Sequence, residues 1–120
     1  LHCSTNQLTS LDVSYNTNLT VLNCLNNELT NLDVSQNIAL ITLNCNNNQI
    51  GSLDVTQNLY LTGLFCYDNL LNSLNTSQNH NLDILSCWSN QITSLDCSQN
   101  TLLISLNCQN NQLTCLNLKI

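Results

Sequence analysis

The chain carries eight cysteines, and six of them fall at one spacing. Cys3, Cys24, Cys45, Cys66, Cys87 and Cys108 each close a Leu-x-Cys triplet and recur every 21 residues. A column of thiolates suggests metal binding or electron transfer. Zinc and iron–sulfur sites, however, draw on paired Cys-x-x-Cys spacings, histidine partners and tetrahedral clustering, and this spacing supplies none of them. Disulfides between successive units meet another obstacle. Side chains in register point the same way, so the required dihedral would distort the backbone. The expectation is a ladder of buried thiols packing as small apolar groups. Cys97 stands where other units have Val and is placed to reach across a thin core toward Cys87 or Cys108. Cys115 falls in a variable turn column and is the candidate for a reactive or paired thiol, its redox state left open.

Asp12, Asp33, Asp54 and Asp96 form a second chemical column, interrupted by Asn75 and Asn117. Outward carboxylates about 5 Å apart repel one another, so they form a weak calcium candidate. The competing reading is a solvated acidic stripe that keeps a sheet soluble. His2 and His80 fall in different columns and nearly four units apart, so they share no site. No nucleophile elbow, glycine-rich phosphate loop or metal-ligand cluster is present. The sequence therefore predicts neither an enzyme nor a cofactor. Asn18-Leu19-Thr20 and Asn75-Thr76-Ser77 match the glycosylation sequon, which arises readily by chance in a chain this rich in Asn, Ser and Thr.

A third group is aromatic. The residues flanking each Leu-x-Cys triplet's cysteine on the outward side are mostly polar: His2, Asn23, Asn44, Ser86, Asn107, Ser4, Asn46 and Gln109. Against them stand Leu25, Phe65, Tyr67 and Trp88, with Asp68 alongside. Aromatics on a rigid polar face are candidate anchors for a protein or a sugar. Strand preference or a covering partner chain would also account for them. Tyr15 and Tyr60 are expected in turns.

The elements that hold these columns follow from the composition. Leu (26) and Asn (24) fill 50 of 120 positions, Pro and Met are absent, and the net charge is −6 with one Lys or Arg. Such a chain lacks the basic clusters that nucleic acid or anionic lipid requires. It also has no apolar run approaching the roughly 18 residues of a membrane span, so no membrane insertion by this segment is expected. A second triplet keeps the same step: Leu11-Asp12-Val13, Leu32-Asp33-Val34, Leu53-Asp54-Val55, Leu74-Asn75-Thr76, Leu95-Asp96-Cys97 and Leu116-Asn117-Leu118. Two columns are always Asn: Asn6, Asn27, Asn48, Asn69, Asn90, Asn111, and Asn16, Asn37, Asn58, Asn79, Asn100. Apolar alternation in both triplets predicts two short strands per unit, each stacked in a parallel ladder on its equivalent. The Asn columns are expected to form turn-holding ladders, because Asn bonds its own backbone, tolerates left-handed conformations and, when stacked, can satisfy carbonyls and amides of the neighbouring coil. One unit alone buries too little to fold, which is why such units come in arrays.

The motif Leu22-Asn23-Cys24-Leu25-Asn26-Asn27-Glu28-Leu29 resembles the leucine-rich-repeat family, and the resemblance covers the whole chain. The match is to the short 21-residue class found in bacterial surface and secreted proteins. Cys replaces a usual Leu, and no long helical stretch follows the strand. The resemblance implies a mainly β solenoid, a right-handed coil without long helices, as one array over 1–120 with about six repeats starting at 1, 22, 43, 64, 85 and 106. Residue 1 is already in phase, which suggests a piece of a longer chain. The Ser/Thr column breaks at Lys119, with Ile120 following, which suggests an array edge. The functional expectation is a non-enzymatic module for protein–protein interaction and cell-surface recognition, extracellular or at the cell surface. The alternative is a self-assembling segment of a fibre, surface layer or adhesive stalk, in which the partner is a copy of itself.

Overall fold

The computed structural model describes residues 1–119; Ile120, expected at the array's edge, lies outside the described residues. The first triplet of each unit forms a short strand because Leu and Cys alternate with outward residues. These strands are β1 (Val21–Asn23), β2 (Thr42–Asn44), β3 (Gly63–Phe65), β4 (Ile84–Ser86) and β6 (Ser105–Asn107). All five pair in parallel and in register, Leu22 against Leu43, Leu64, Leu85 and Leu106 in turn, and a bridge from His2 to Asn23 adds the first unit. The chain is thus a parallel β-solenoid with 21 residues per coil and no helix among the described residues.

The core is built from columns. Leu22, Leu43, Leu64 and Leu85 are fully buried, as are Cys24, Cys45, Cys66 and Cys87. Leu29, Ile50, Leu71 and Ile92 close one side, and Leu40, Leu61 and Leu82 another. Burying each such side chain contributes about 1.5–3 kcal/mol, and every coil shares that burial with its neighbours.

The second ladder is shorter than the sequence predicts. Only β5 (Ser94–Cys97) and β7 (Cys115–Leu118) pair there, in the last two coils. Earlier Leu-Asp-Val segments keep the inward Leu and Val but are not strands. In those coils the cross-coil bonding stops one step earlier, at Gln49 N–H to Leu29 O (2.8 Å) and its equivalents. The next rung, Thr114 N–H to Thr93 O (2.9 Å), forms only at the end. Gly51 and Asn72, both weak strand formers, hold that position in the middle coils. Thr9 and Thr30 hold it in the first two, and residue type does not explain why they fail to pair.

The turns also depart from expectation. The left-handed residues are Thr5, Asn26, Asn47, Asp68, Ser89 and Asn110, with φ between 49° and 56°. They precede the first invariant Asn column rather than belonging to it. The invariant Asn side chains bond both within their own turn and from coil to coil. Asn69 Nδ2 donates to Cys45 O of the coil before (3.0 Å) and to Cys66 O of its own (3.2 Å), while its Oδ1 accepts Ile50 N–H (2.9 Å). In the second column, Asn58 Nδ2 donates to Val34 O (3.0 Å) and Asn37 O (2.9 Å) of the coil before.

Candidate binding faces

The strand face carries the aromatic group expected from sequence. Tyr67 and Trp88 occupy equivalent positions on adjacent coils, and parallel register brings them together. Their rings stack with centroids 4.5 Å apart and planes 10° from parallel. Phe65 extends along β3 over Gly63, where an added Cβ would come within 3.1 Å of its ring. Gly63 is therefore the residue that lets the Phe65 ring lie flat. Its importance was hidden in the sequence because it sits two residues before Phe65 in an otherwise variable column. Phe65, Tyr67, Trp88 and Leu25 are all half-buried, Tyr67 and Trp88 in part because their rings cover one another. Asp68, also half-buried, has a left-handed backbone, so its place beside the aromatics is also a turn position. Beside the stack, Asn46 is buried in the same column with its Oδ1 unpaired.

The acidic column faces outward, as expected, but each carboxylate is engaged locally. Asp12, Asp33, Asp54 and Asp96 accept the N–H two residues on, from Ser14, Ser35, Thr56 and Ser98, each at 2.9 Å. Hydrogen bonds from the N–H and the hydroxyl of these residues, the Ser98 hydroxyl foremost at Asp96, hold the four carboxyls below the usual carboxylate range. Asn75 makes the same turn with Ser77 N–H (3.0 Å), which explains how it can replace Asp in the column. The column is thus a set of turn-closing side chains, and the weak calcium candidate gains no cluster of three or more ligands among the described residues.

The cysteine ladder lies in the core. Burial pushes the Cys24 and Cys87 thiols up to about 12, and raises Cys45 and Cys66 as well. Such thiols carry almost no thiolate near neutral pH and are poor nucleophiles. Cys24 Sγ donates weakly to Asn44 O (3.6 Å). Cys97 is buried, and burial first, then the neighbouring Cys108, raises it to about 11. All eight thiols are free. Cys115 does not sit in a turn: it opens β7 and is exposed. His2 and His80 are exposed on different coils, and His80 Nδ1 lies 3.3 Å from Gln99 O.

A second face has no counterpart in the sequence expectations. The residues just before each first strand line a groove of about 660 Å³ across four coils. Ile41 and Tyr60 form one end, Leu102 and Ile104 the other, and Asn81 and Asp83 lie between them. Ile104 is 82% exposed, Tyr60 64% and Leu102 56%, far more than the strand-face aromatics. The available signal was the outward apolar residue in a polar turn column, repeated on several coils. Strand periodicity does not register such residues.

No protein-family model matches the sequence, and no curated protein does. Solved structures do. The chain is similar to the functional domain of InlJ from Listeria monocytogenes, described as including a cysteine ladder, with 39% identity and a TM-score of 0.79 over 99% of this chain and 34% of that one. It is similar to an LRR protein, LIC12759, of Leptospira interrogans, with 32% identity and a TM-score of 0.91 over 97% of this chain and 32% of that one. The internalin InlF of Listeria monocytogenes shares the fold at 24% identity and a TM-score of 0.70, over 92% of this chain and 45% of that one. The chain therefore spans about a third of the first two proteins it matches. The column of six cysteines is the feature it has in common with the description of the Listeria ladder.

Proposed function

Starting from a chain that belongs to the leucine-rich-repeat family, we propose a non-enzymatic module for protein–protein interaction, extracellular or at a bacterial cell surface, that recognises its partner through the strand face. One observation carries the reading. Tyr67 and Trp88 stack beside Phe65 on a ladder whose other outward positions, Leu25 apart, are mostly polar. The stack is held by register pairing of β3 and β4, so it is ordered before binding. A preformed aromatic platform loses little side-chain entropy on contact, which favours affinity. Leu25 and the turn residue Asp68 flank it and set its rim. Anchor residues of this type carry a disproportionate share of interface energy.

The test compares capture of a surface-protein preparation by the immobilised chain and by Tyr67→Ala/Trp88→Ala. Loss of a stacked aromatic pair costs about 0.5–1.5 kcal/mol of packing, so the variant remains folded. Capture of a defined partner is expected to fall by roughly tenfold or more, matching the loss of one anchor. Gly63→Ala, which lifts the Phe65 ring, is expected to weaken capture by a smaller factor. Equal capture by parent and double variant would refute the strand face as the recognition surface.

A further inference from the structure

The groove on the flank carries a second inference. Along the row Ile41, Thr62, Asp83 and Ile104 the backbone has little left to offer a partner. Each position-equivalent carbonyl already accepts two N–H groups from the next coil: Ile41 O from Thr62 and Gly63, Thr62 O from Asp83 and Ile84, Asp83 O from Ile104 and Ser105. The amides of Ile41, Thr62, Asp83 and Ile104 are likewise spent on the coil before. No strand can add along this row, so recognition there runs through side chains. Those side chains are aliphatic and aromatic at both ends of the groove, with one carboxylate between them. The Asp83 carboxylate makes no hydrogen bond or ion pair with another described residue. The only Lys or Arg of the chain is Lys119, against seven acidic residues. Lys119 is not among the groove's lining residues, so a cation that complements Asp83 would be supplied by another molecule.

We infer that this groove docks a segment of a protein partner in which a lysine or arginine is flanked on both sides by aliphatic residues. The aliphatic residues cover Ile41 and Tyr60 at one end and Leu102 and Ile104 at the other, and the cation meets Asp83. A second copy of this chain is a poor occupant, because two bodies of charge −6 repel and each carries only one Lys or Arg. An anionic lipid surface is opposed by the same charge. This surface differs from the strand face, and each can fail without the other.

The probe is a short fluorescent peptide with two leucines on each side of a lysine, and its twin with glutamate in place of the lysine. Binding to the full chain is read by fluorescence anisotropy, and the location by amide shifts. The lysine peptide is expected to shift the amides around Ile41, Tyr60, Asp83 and Ile104 and to leave those of Tyr67 and Trp88 unmoved. Asp83→Asn, which keeps shape and fold, is expected to weaken the lysine peptide by about fivefold and to remove most of the preference over the glutamate twin. Ile104→Ser, at a residue exposed enough to tolerate it, is expected to weaken both peptides by about tenfold. Equal affinity for both peptides overturns the proposal, as do shifts confined to the strand face or no binding at all. Self-association of the chain lost in Ile104→Ser, or binding to anionic vesicles through this groove, would assign it to those occupants instead.

Discussion

The two asparagine corners of the coil look alike in sequence and differ in what they satisfy. In the first corner each Asn Oδ1 from Asn27 to Asn111 is the acceptor for one inward Leu or Ile N–H of the coil before: Leu8, Leu29, Ile50, Leu71 and Ile92, at 2.9–3.0 Å. In the second corner Asn37, Asn58 and Asn79 only donate. All three are buried with Oδ1 unpaired. The carbonyls they reach are already bonded within the turn, as Val34 O is to Asn37 N–H (3.0 Å) and Asn37 O to Leu40 N–H (3.1 Å). An N–H has a single proton and needs one acceptor; a carbonyl has two lone pairs and tolerates losing a second donor. One corner thus meets an obligation, while the other adds to groups already satisfied.

That asymmetry predicts unequal costs for the same substitution. Asn69→Ala strands the Ile50 N–H inside the protein and cuts three carbonyl contacts, for a loss of about 3–4 kcal/mol in urea unfolding. Asn58→Ala removes two donations and an orphan acceptor together, for a loss of about 1–2 kcal/mol. Equal losses, or the reverse order, would break the distinction between the corners.

One coil has already repaired the weaker corner. Thr76 stands where Val13, Val34 and Val55 stand elsewhere, and its Oγ1 donates to Asn100 Oδ1 at 2.8 Å. Thr76→Val should therefore cost about 1 kcal/mol by reopening the orphan. Val55→Thr places a hydroxyl at the same offset from Asn79. A buried hydroxyl without a partner would cost about 1–3 kcal/mol, so a change within about 0.5 kcal/mol of the parent is the expected sign that Asn79 Oδ1 has been met. A full-sized loss in the Val55→Thr melt would mean that the second corner is not short of a donor.

Much of this architecture is legible from residue spacing. The 21-residue step, the buried Cys24 to Cys87 column and the parallel register of Leu22, Leu43 and Leu64 follow from apolar alternation in constant phase. The difference between the corners is not legible, because both columns are invariant Asn and a letter does not say which atom is paired. The left-handed turn residue was hidden for a related reason: Thr5, Asn26, Asp68 and Ser89 share a backbone angle but not a side chain. At the candidate faces the spacing found Phe65, Tyr67 and Trp88 by residue type. It could not show that stacking would half-bury them, nor that Ile104 and Tyr60 would stay open on the flank. Exposure depends on what the neighbouring coil places alongside, and that is a property of the stack rather than of one repeat.

The smallest expected effect separates the corners by acid. The turn leading into the second corner is closed by carboxylates, Asp33 to Ser35 N–H and Asp54 to Thr56 N–H. These hydrogen bonds lower the folded-state carboxyls from the ordinary 3.8. The ionised form is therefore the one that folding favours. Its contribution is fully present above that value and is lost as the pH falls through the lower folded values. The fourth coil is an internal control, because Asn75 closes the same turn to Ser77 N–H and does not titrate. In an amide-proton titration from neutral pH into acid, the Ser35 and Thr56 signals are expected to move together with midpoints below 3.8, while Ser77 stays in place. The Ile50 N–H, held by the Asn69 amide, should also stay in place. Movement of Ser77 or Ile50 in step with Thr56 would mean that acid loosens the whole coil, and that the two corners are not independent.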